Sequence, residues 1–380
     1  MIYLDNNSTT RIDPRVLETM LPFLTDSFAN ASSTHKFGVM AGRAVNLARQ
    51  QVAELLNCNP GEIIFTSGAT EAINLAIKGV AESYCQKGKH IVTVQTEHKA
   101  VLDVCYYLEG RGFEVTYLPV QPDGLLDINT VEEAIRPDTI LVCVMTVNNE
   151  IGVIQPIKEI AELAHVNGAL FMTDATQAVG KMAIDVEAFD IDLLAFSSHK
   201  FYGPKGIGGL YIRQHSTRNL RLQAAIHGGG HEKGLRSGTL NVPGIVGLGK
   251  AAELSNIQMH ADAELIRILR DHLELSLLSI PNTKVNGNKT TRLYNVTNIL
   301  FKDCDSDALI LGLNDIAVSN GSACTAALIE PSHVLSALGL NKEDAFSCLR
   351  FSLGRFNNSD EILDTVSAVN LLVQKLRMLA

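Results

Sequence analysis

The chain has 380 residues, 46% of them hydrophobic and 19% charged, enough for two or three domains of ~150 residues around a large core and outside the disordered, collagen-like and coiled-coil classes. Lys and Arg number 32 against 41 Asp and Glu, a formal charge of −9 without a basic run, so neither direct nucleic-acid binding nor a polybasic membrane contact is expected. The start, Met1-Ile2-Tyr3-Leu4-Asp5, lacks a signal-peptide pattern, no apolar run approaches the ~18 residues that span a bilayer, and the seven cysteines show no C-x-x-C spacing; a cytoplasmic protein with free thiols is expected.

Between about residues 60 and 213, short β-rich runs alternate with stretches of helical spacing. The runs are 62–67, 90–95, 113–118, 139–147, 169–173, 192–196 and 208–213, and the helical stretches include 70–87, 99–111, 127–136 and 156–168. Such alternation predicts an α/β fold, a mainly parallel sheet with helices on both faces that binds ligands at its strand C-termini. Residues 241–280 predict one long helix that breaks near Ile280-Pro281-Asn282. Beyond it, strands at 294–301, 315–319 and 347–353 with helices at 305–314, 331–340 and 359–377 predict a smaller α+β domain. The expected division is 14–257 for the large domain, and 1–13 with 258–380 for the small one.

Strand 62–67 runs through Ser67-Gly68-Ala69-Thr70-Glu71 into a helix. Free N–H groups and the helix dipole there make an anion site, unless Ser67 or Thr70 is an ordinary cap. No Walker A lysine follows, so nucleoside triphosphates are not implied. Strand 169–173 ends at Asp174, a costly place for a carboxylate unless a cation such as a protonated ring nitrogen meets it or the residue caps a turn. Lys200, in Ser197-Ser198-His199-Lys200, follows strand 192–196. A partly desolvated lysine has a lowered pKa and an amine free to form a Schiff base, although most lysines are simply solvated. Ser197 and His199 are placed to hold a phosphate. Gly203, Gly206, Gly208 and Gly209 do not form G-x-G-x-x-G, and no G-x-S-x-G is present. His227 and His231 flank three glycines, which disfavours helical zinc ligation, and no metal site is expected.

Anion site, terminal Asp and later Lys together match what pyridoxal 5'-phosphate requires. With the motifs YLDNNSTT (3–10), FTSGATEAINLAIKG (65–79), TEHKAVLD (96–103), VNNEIG (147–152), DATQAVGK (174–181), SSHKFYGPKGIG (197–208), HGGGHEKGLRSGT (227–239), GSACTAALIEPSHVL (321–335) and LRFSLGRF (349–356), the sequence resembles the fold-type-I pyridoxal-phosphate enzymes. More narrowly, it resembles the NifS/IscS-type cysteine desulfurases of the class V aminotransferase superfamily, over nearly the whole chain.

The resemblance implies Lys200 as the Schiff-base lysine, Asp174 on the pyridine nitrogen and His98 stacked on the ring and exchanging protons. It places Asn149 and Gln177 on the phenolic oxygen, and Ala69, Thr70, Ser197 and His199 at the phosphate. Thr239 would reach the neighbouring subunit's cofactor, which implies a homodimer. Arg350 would clamp the substrate carboxylate, with Arg355 as the local competitor. Cys324 lies among small residues after strand 315–319, as in an exposed mobile loop, where a thiolate can take sulfur from L-cysteine as a persulfide and leave alanine. The other six cysteines read as small core hydrophobes. A sulfur acceptor or iron–sulfur scaffold protein is the implied partner. Selenocysteine lyase and aminotransferase chemistry would use the same cup, Asp and Lys, and Cys324 is the feature that separates them; a non-catalytic sulfur-binding protein is the remaining alternative. Departures from the family pattern are Ser8 for Ala, Ala31 for Pro and Asn320 for Ser. The chain stops at Ala380, where several relatives continue into a tail that docks a scaffold, so docking by such a tail is not expected.

Overall fold

The computed structural model describes residues 1–214, 220–321 and 330–379. A short strand β1 (Ile2–Tyr3) precedes the large sheet, whose strands are β2 (Ile63–Thr66), β3 (His90–Val94), β4 (Glu114–Leu118), β5 (Thr139–Cys143), β6 (Leu170–Asp174), β7 (Leu193–Ser197) and β8 (Gly208–Ile212). Their spatial order is β2-β8-β7-β6-β5-β3-β4. Pairing is parallel except where β8 inserts antiparallel between β2 and β7, so the sheet is mainly parallel as expected. Apart from the edge strand β4, every one of these strands is buried along its whole length, as a sheet covered on both faces requires.

Two apolar layers cover it. Helices Ala69–Tyr84 and Lys99–Glu109 bury Ile73, Ala76, Val80, Val101 and Cys105 on one face, while helices Lys36–Leu56, Ile157–Val166 and Val242–Leu278 close the other. Helix Lys36–Leu56 lies outside the predicted alternation, yet its Ala41, Val45, Ala48 and Val52 recur at helical spacing and are buried. The helix Val242–Leu278 runs unbroken through 257–258, the expected domain boundary.

The smaller part has a three-stranded antiparallel sheet of β9 (Thr283–Val285), β10 (Val296–Phe301) and β12 (Cys348–Ser352), in the order β12-β10-β9. Strand β11 (Ile316–Ala317) pairs with β1 in parallel, which ties the N-terminus to this region. Predicted strand 315–319 is thus shorter than expected. Run 139–147 likewise stops as a strand at Cys143: the Val144 and Thr146 N–H groups still bond the Met172 and Asp174 carbonyls of β6, but on the other side the Met145 N–H donates to Glu97 Oε1 instead of to a strand.

Gly180 has φ +75 and faces the buried Phe201, whose Cβ lies 2.6 Å from where a Gly180 Cβ would stand. A side chain there strains the backbone and pushes Phe201, the neighbour of Lys200. Gly180→Ala should lower unfolding stability by about 2 kcal/mol; an unchanged urea midpoint would contradict this packing.

Candidate active site

A cavity of about 630 Å3 opens at the C-terminal edge of the large sheet and gathers side chains from five of its strand ends and from the N-terminal segment. On its floor the helix Ala69–Tyr84 begins after Gly68, which has no side chain to cap it. Ser67 and Thr70 therefore do not act as caps, and the first N–H groups of a 16-residue helix face the cavity beside Ala69, Thr70 and Ser197. Glu71 would repel an anion there, but it accepts the Ser67 N–H at 2.8 Å and pairs with Arg236 at 2.8 Å. His199, with Nδ1 3.0 Å from Thr9 Oγ1, is held neutral: burial, then Lys200, Lys205 and Lys181, push its pKa down to about 4. When Thr9 donates to Nδ1, the Nε2–H remains for an anion.

Asp174 closes β6 and is 4% exposed, and Thr176 N–H donates to its Oδ1 at 2.9 Å. The turn-cap reading thus holds, but it uses a single neutral donor, and among the described residues Asp174 has no ion-pair partner. Thr176 also lines the cavity, and its Oγ1 is buried without a hydrogen bond. Glu97 lies deeper: burial, and then Asp174, hold its carboxyl well above the usual range, and its Oε2 is unpartnered.

Lys200 ends a short 3₁₀ turn after β7. Its ammonium donates to the carbonyls of Asn7 at 2.7 Å and Ser8 at 2.8 Å, and to no carboxylate. Burial, reinforced by Arg350, lowers its pKa to about 8, with Asp174 and Asp5 pulling the other way. Gln177 donates through Nε2 to the Asn7 carbonyl at 2.8 Å, and its Oε1 accepts from the buried Lys181 at 2.7 Å. Lys181 thereby fixes which end of the amide is a donor toward the cavity. It lies four residues after Gln177 in the quoted motif, a spacing that pairs side chains on one helical turn.

His98 is exposed to the cavity and also caps the helix Lys99–Glu109, with the Ala100 N–H donating to its Nδ1 at 3.1 Å. The local reading and the site reading of His98 coexist, and Nε2 is left as the N–H. Asn149 lines the cavity, and its carbonyl accepts from Arg350 Nη1 and Asn7 Nδ2, each at 3.0 Å. Arg350 is buried in β12; its Nη2 bonds Asp5 at 2.6 Å and Ser8 Oγ at 2.8 Å, while Nε has no partner. Ser8, where the family pattern has Ala, thus adds an acceptor for Arg350. Arg355 is no competitor: it is taken up by Asp13, Asp262 and the ring of Tyr202.

Thr239 is exposed and does not line this cavity. Cys324 lies outside the described residues. Of the other cysteines, Cys105, Cys143, Cys304 and Cys348 are buried as expected, while Cys58 and Cys85 are half-buried. Burial pushes the thiols of Cys58, Cys105 and Cys348 up to about 12.

These residues fit pyridoxal phosphate. The uncapped helix suits a phosphate, unpaired Asp174 suits a protonated ring nitrogen, and Lys200 suits an aldehyde. Residues 2–364 match the aminotransferase class-V family. The sequence is 52% identical over 382 aligned positions, covering 100% of this chain and 94% of the relative, to the cysteine desulfurase IscS of Pectobacterium carotovorum subsp. carotovorum (strain PC1). It is 51% identical, at the same coverage, to that of Edwardsiella ictaluri (strain 93-146). Among solved structures, a NifS-like protein superposes with a TM-score of 0.92 at 36% identity, over 98% of this chain and 99% of that one. SspA in complex with cysteine gives 0.82 at 40% identity, over 94% and 100% of the two chains. The chain belongs to the class-V aminotransferase family. Within it, the chain is an enzyme of the NifS/IscS-type cysteine desulfurase group.

In the protein freed of cofactor, trapping of Lys200 by an aldehyde and borohydride should rise with a midpoint near pH 8, because only the neutral amine adds to a carbonyl. A midpoint at the ordinary lysine value of 10.5 would show that burial does not tune this amine.

Proposed function

We propose that the chain uses pyridoxal 5'-phosphate to take sulfur from free L-cysteine, releases L-alanine and holds the sulfur as a persulfide on Cys324 for an acceptor protein. The observation that carries this reading is the meeting of an amine of lowered pKa, an unpaired carboxylate and an uncapped helix N-terminus in one cavity. Bound there, the cofactor supplies an aldehyde for amines and a ring that draws electrons from the α-carbon.

Thr70, Ser197, His199 and the N–H groups after Gly68 would hold its phosphate. Asp174 would keep its ring nitrogen protonated, and Gln177 and Asn149 would face the phenolic oxygen. His98 would cover one face of the ring. Arg350 would receive the substrate carboxylate through its free Nε and an Nη, exchanging part of its contact with Asp5. Lys200, which would hold the cofactor's aldehyde, would move a proton at the α-carbon through Nζ. The Cys324 thiolate attacks the substrate sulfur: an S–S bond forms, the C–S bond breaks, and the β-carbon takes a proton to give alanine. No outside oxidant enters: the thiolate supplies the electron pair of the new S–S bond, and the C–S pair leaves with the β-carbon, which is reduced to the methyl group of alanine as the transferred sulfur is oxidised.

None of the six described cysteines lines the cavity, which leaves this step to Cys324. Exposed Thr239 supports a homodimer in which it serves the partner's cavity. The 94% coverage of IscS relatives supports an iron–sulfur scaffold or thio-cofactor pathway as the sulfur's destination. Among the described residues, no helix is long and apolar enough to cross a membrane, and a cytoplasmic site of action accords with the free thiols.

Cys324→Ser should keep the cofactor and its absorbance but form no alanine from cysteine; normal turnover would exclude Cys324 as the nucleophile. Mass spectrometry of the native chain after cysteine treatment should find one added sulfur on residue 324. Lys200→Ala should abolish turnover and borohydride trapping. A keto acid in place of alanine would favour transamination.

A further inference from the structure

The four residues 148–151 bond Arg350 and Asn7 on one side and Ser332 on the other. Asn148 Oδ1 accepts the N–H groups of Glu150 at 2.9 Å and Ile151 at 3.0 Å, which closes a tight turn. Asn149 offers its carbonyl to Arg350. Glu150 points the other way: it is 3% exposed, and its Oε2 accepts from Ser332 Oγ at 2.5 Å. Ser332 in turn caps the helix His333–Ala337, taking the N–H groups of Val334 and Leu335. The same carboxylate is packed on Gly321, where any Cβ would overlap Glu150 Oε2 and where φ is +76.

Gly321 and Ser332 stand on either side of the segment that contains Cys324, and each is tied down further. Before Gly321, Ser319 pairs through both backbone groups with Arg350, at 2.6 and 3.2 Å, and Asn320 donates to Asp307 at 2.8 Å. After Ser332, His333 donates through Nε2 to the Glu97 carbonyl at 2.9 Å, next to His98. The Glu150 carboxyl thus contacts both stems, Gly321 on one and Ser332 on the other.

We propose that Glu150 is a positioning residue, which holds the two stems of the Cys324 segment in register with Arg350 and Asn149 and so sets the reach of the thiol toward a substrate held by Arg350. The inference rests on Cys324 being the sulfur acceptor. It assigns Glu150 no contact with substrate or cofactor. A carboxyl serves because its Oε2 takes the Ser332 hydroxyl beside the bare Gly321 Cα; burial raises its pKa to about 7, with the Ser332 hydrogen bond and Arg350 pulling the other way.

The test uses the holoenzyme. Glu150→Ala should slow persulfide formation on residue 324 about tenfold, the loss of one buried hydrogen bond. It should leave unchanged the deuteration of L-alanine at Cα in heavy water, which needs the cofactor and Lys200 but no thiol. Backbone amide exchange at 319–321 and 331–335 should speed up, a readout independent of turnover. Glu150→Gln, which keeps an acceptor for Ser332, should retain most of the rate; a loss equal to that of Ala would overturn anchoring in favour of a charge effect. Should Glu150→Ala fail to fold, Ser332→Ala must show the same selective loss of persulfide formation. Slowed Cα deuteration, or stems whose exchange is unaltered, would overturn the proposal. Absence of sulfur on residue 324 in the native chain would instead overturn the function on which it rests.

Discussion

The site depends on keeping two opposite charges in one cavity without letting them neutralise each other. Lys200 and Asp174 both line it, and a direct ion pair would hold the lysine protonated and fill the place of a ring nitrogen. The N-terminal segment prevents this. Asn7 and Ser8 present carbonyl oxygens to Lys200, which accept its protons without adding a charge, so burial and Arg350 are free to lower its pKa. The same segment places Asp5 and Ser8 Oγ on Arg350, Thr9 on His199 and the Asn7 carbonyl on Gln177. That segment is itself held from the smaller part of the chain, through β1 on β11 and the N–H groups of Asn6 and Asn7 on Ser352. The first ten residues are thus the splint between the two halves, and pocket geometry follows the relative placement of both.

The interior of the cavity is also electrically unlike the protein's surface. The chain carries −9 overall, yet Lys200, Lys205, Arg350 and the helix N-terminus converge on a space whose carboxylates are Asp174 and an already paired Glu71. Such a pocket favours a phosphate dianion and an amino-acid carboxylate, and it disfavours a second proton on His199. The downward shift of His199 and that of Lys200 have the same leading cause, burial. Their consequences differ because an imidazole pushed to about 4 is a neutral hydrogen-bond donor throughout the physiological range, whereas an amine pushed to about 8 is poised to exchange its proton there.

Local signals carry most of the fold. The run 90–95 and the helical stretch 99–111 reappear within two residues because an apolar strand followed by an amphipathic helix has one stable arrangement on a sheet. Asp174, Lys200 and the start at Gly68 are legible for the same reason: chain order places them at strand ends. Pairings across long sequence separations are not legible. Nothing near Asn7 announces that its carbonyl meets Lys200, 193 positions away, or that Glu150 meets Ser332, 182 away. Nor does the motif announce that Lys181 is buried and donates to Gln177 Oε1. The shortened run at 139–147 has the same origin, since Glu97, 48 positions away, takes the Met145 N–H.

Thiol selection follows from burial as much as from proximity. A thiol whose pKa stands near 12 is almost wholly protonated at neutral pH, and Cys58, Cys105 and Cys348 are in that state because the fold uses them as small apolar groups. The thiol of Cys143 is likewise held well above the ordinary range, first of all by burial. Sulfur chemistry in this protein is confined by electrostatics before it is directed by geometry, and a nucleophilic cysteine must come from a segment that the core does not enclose.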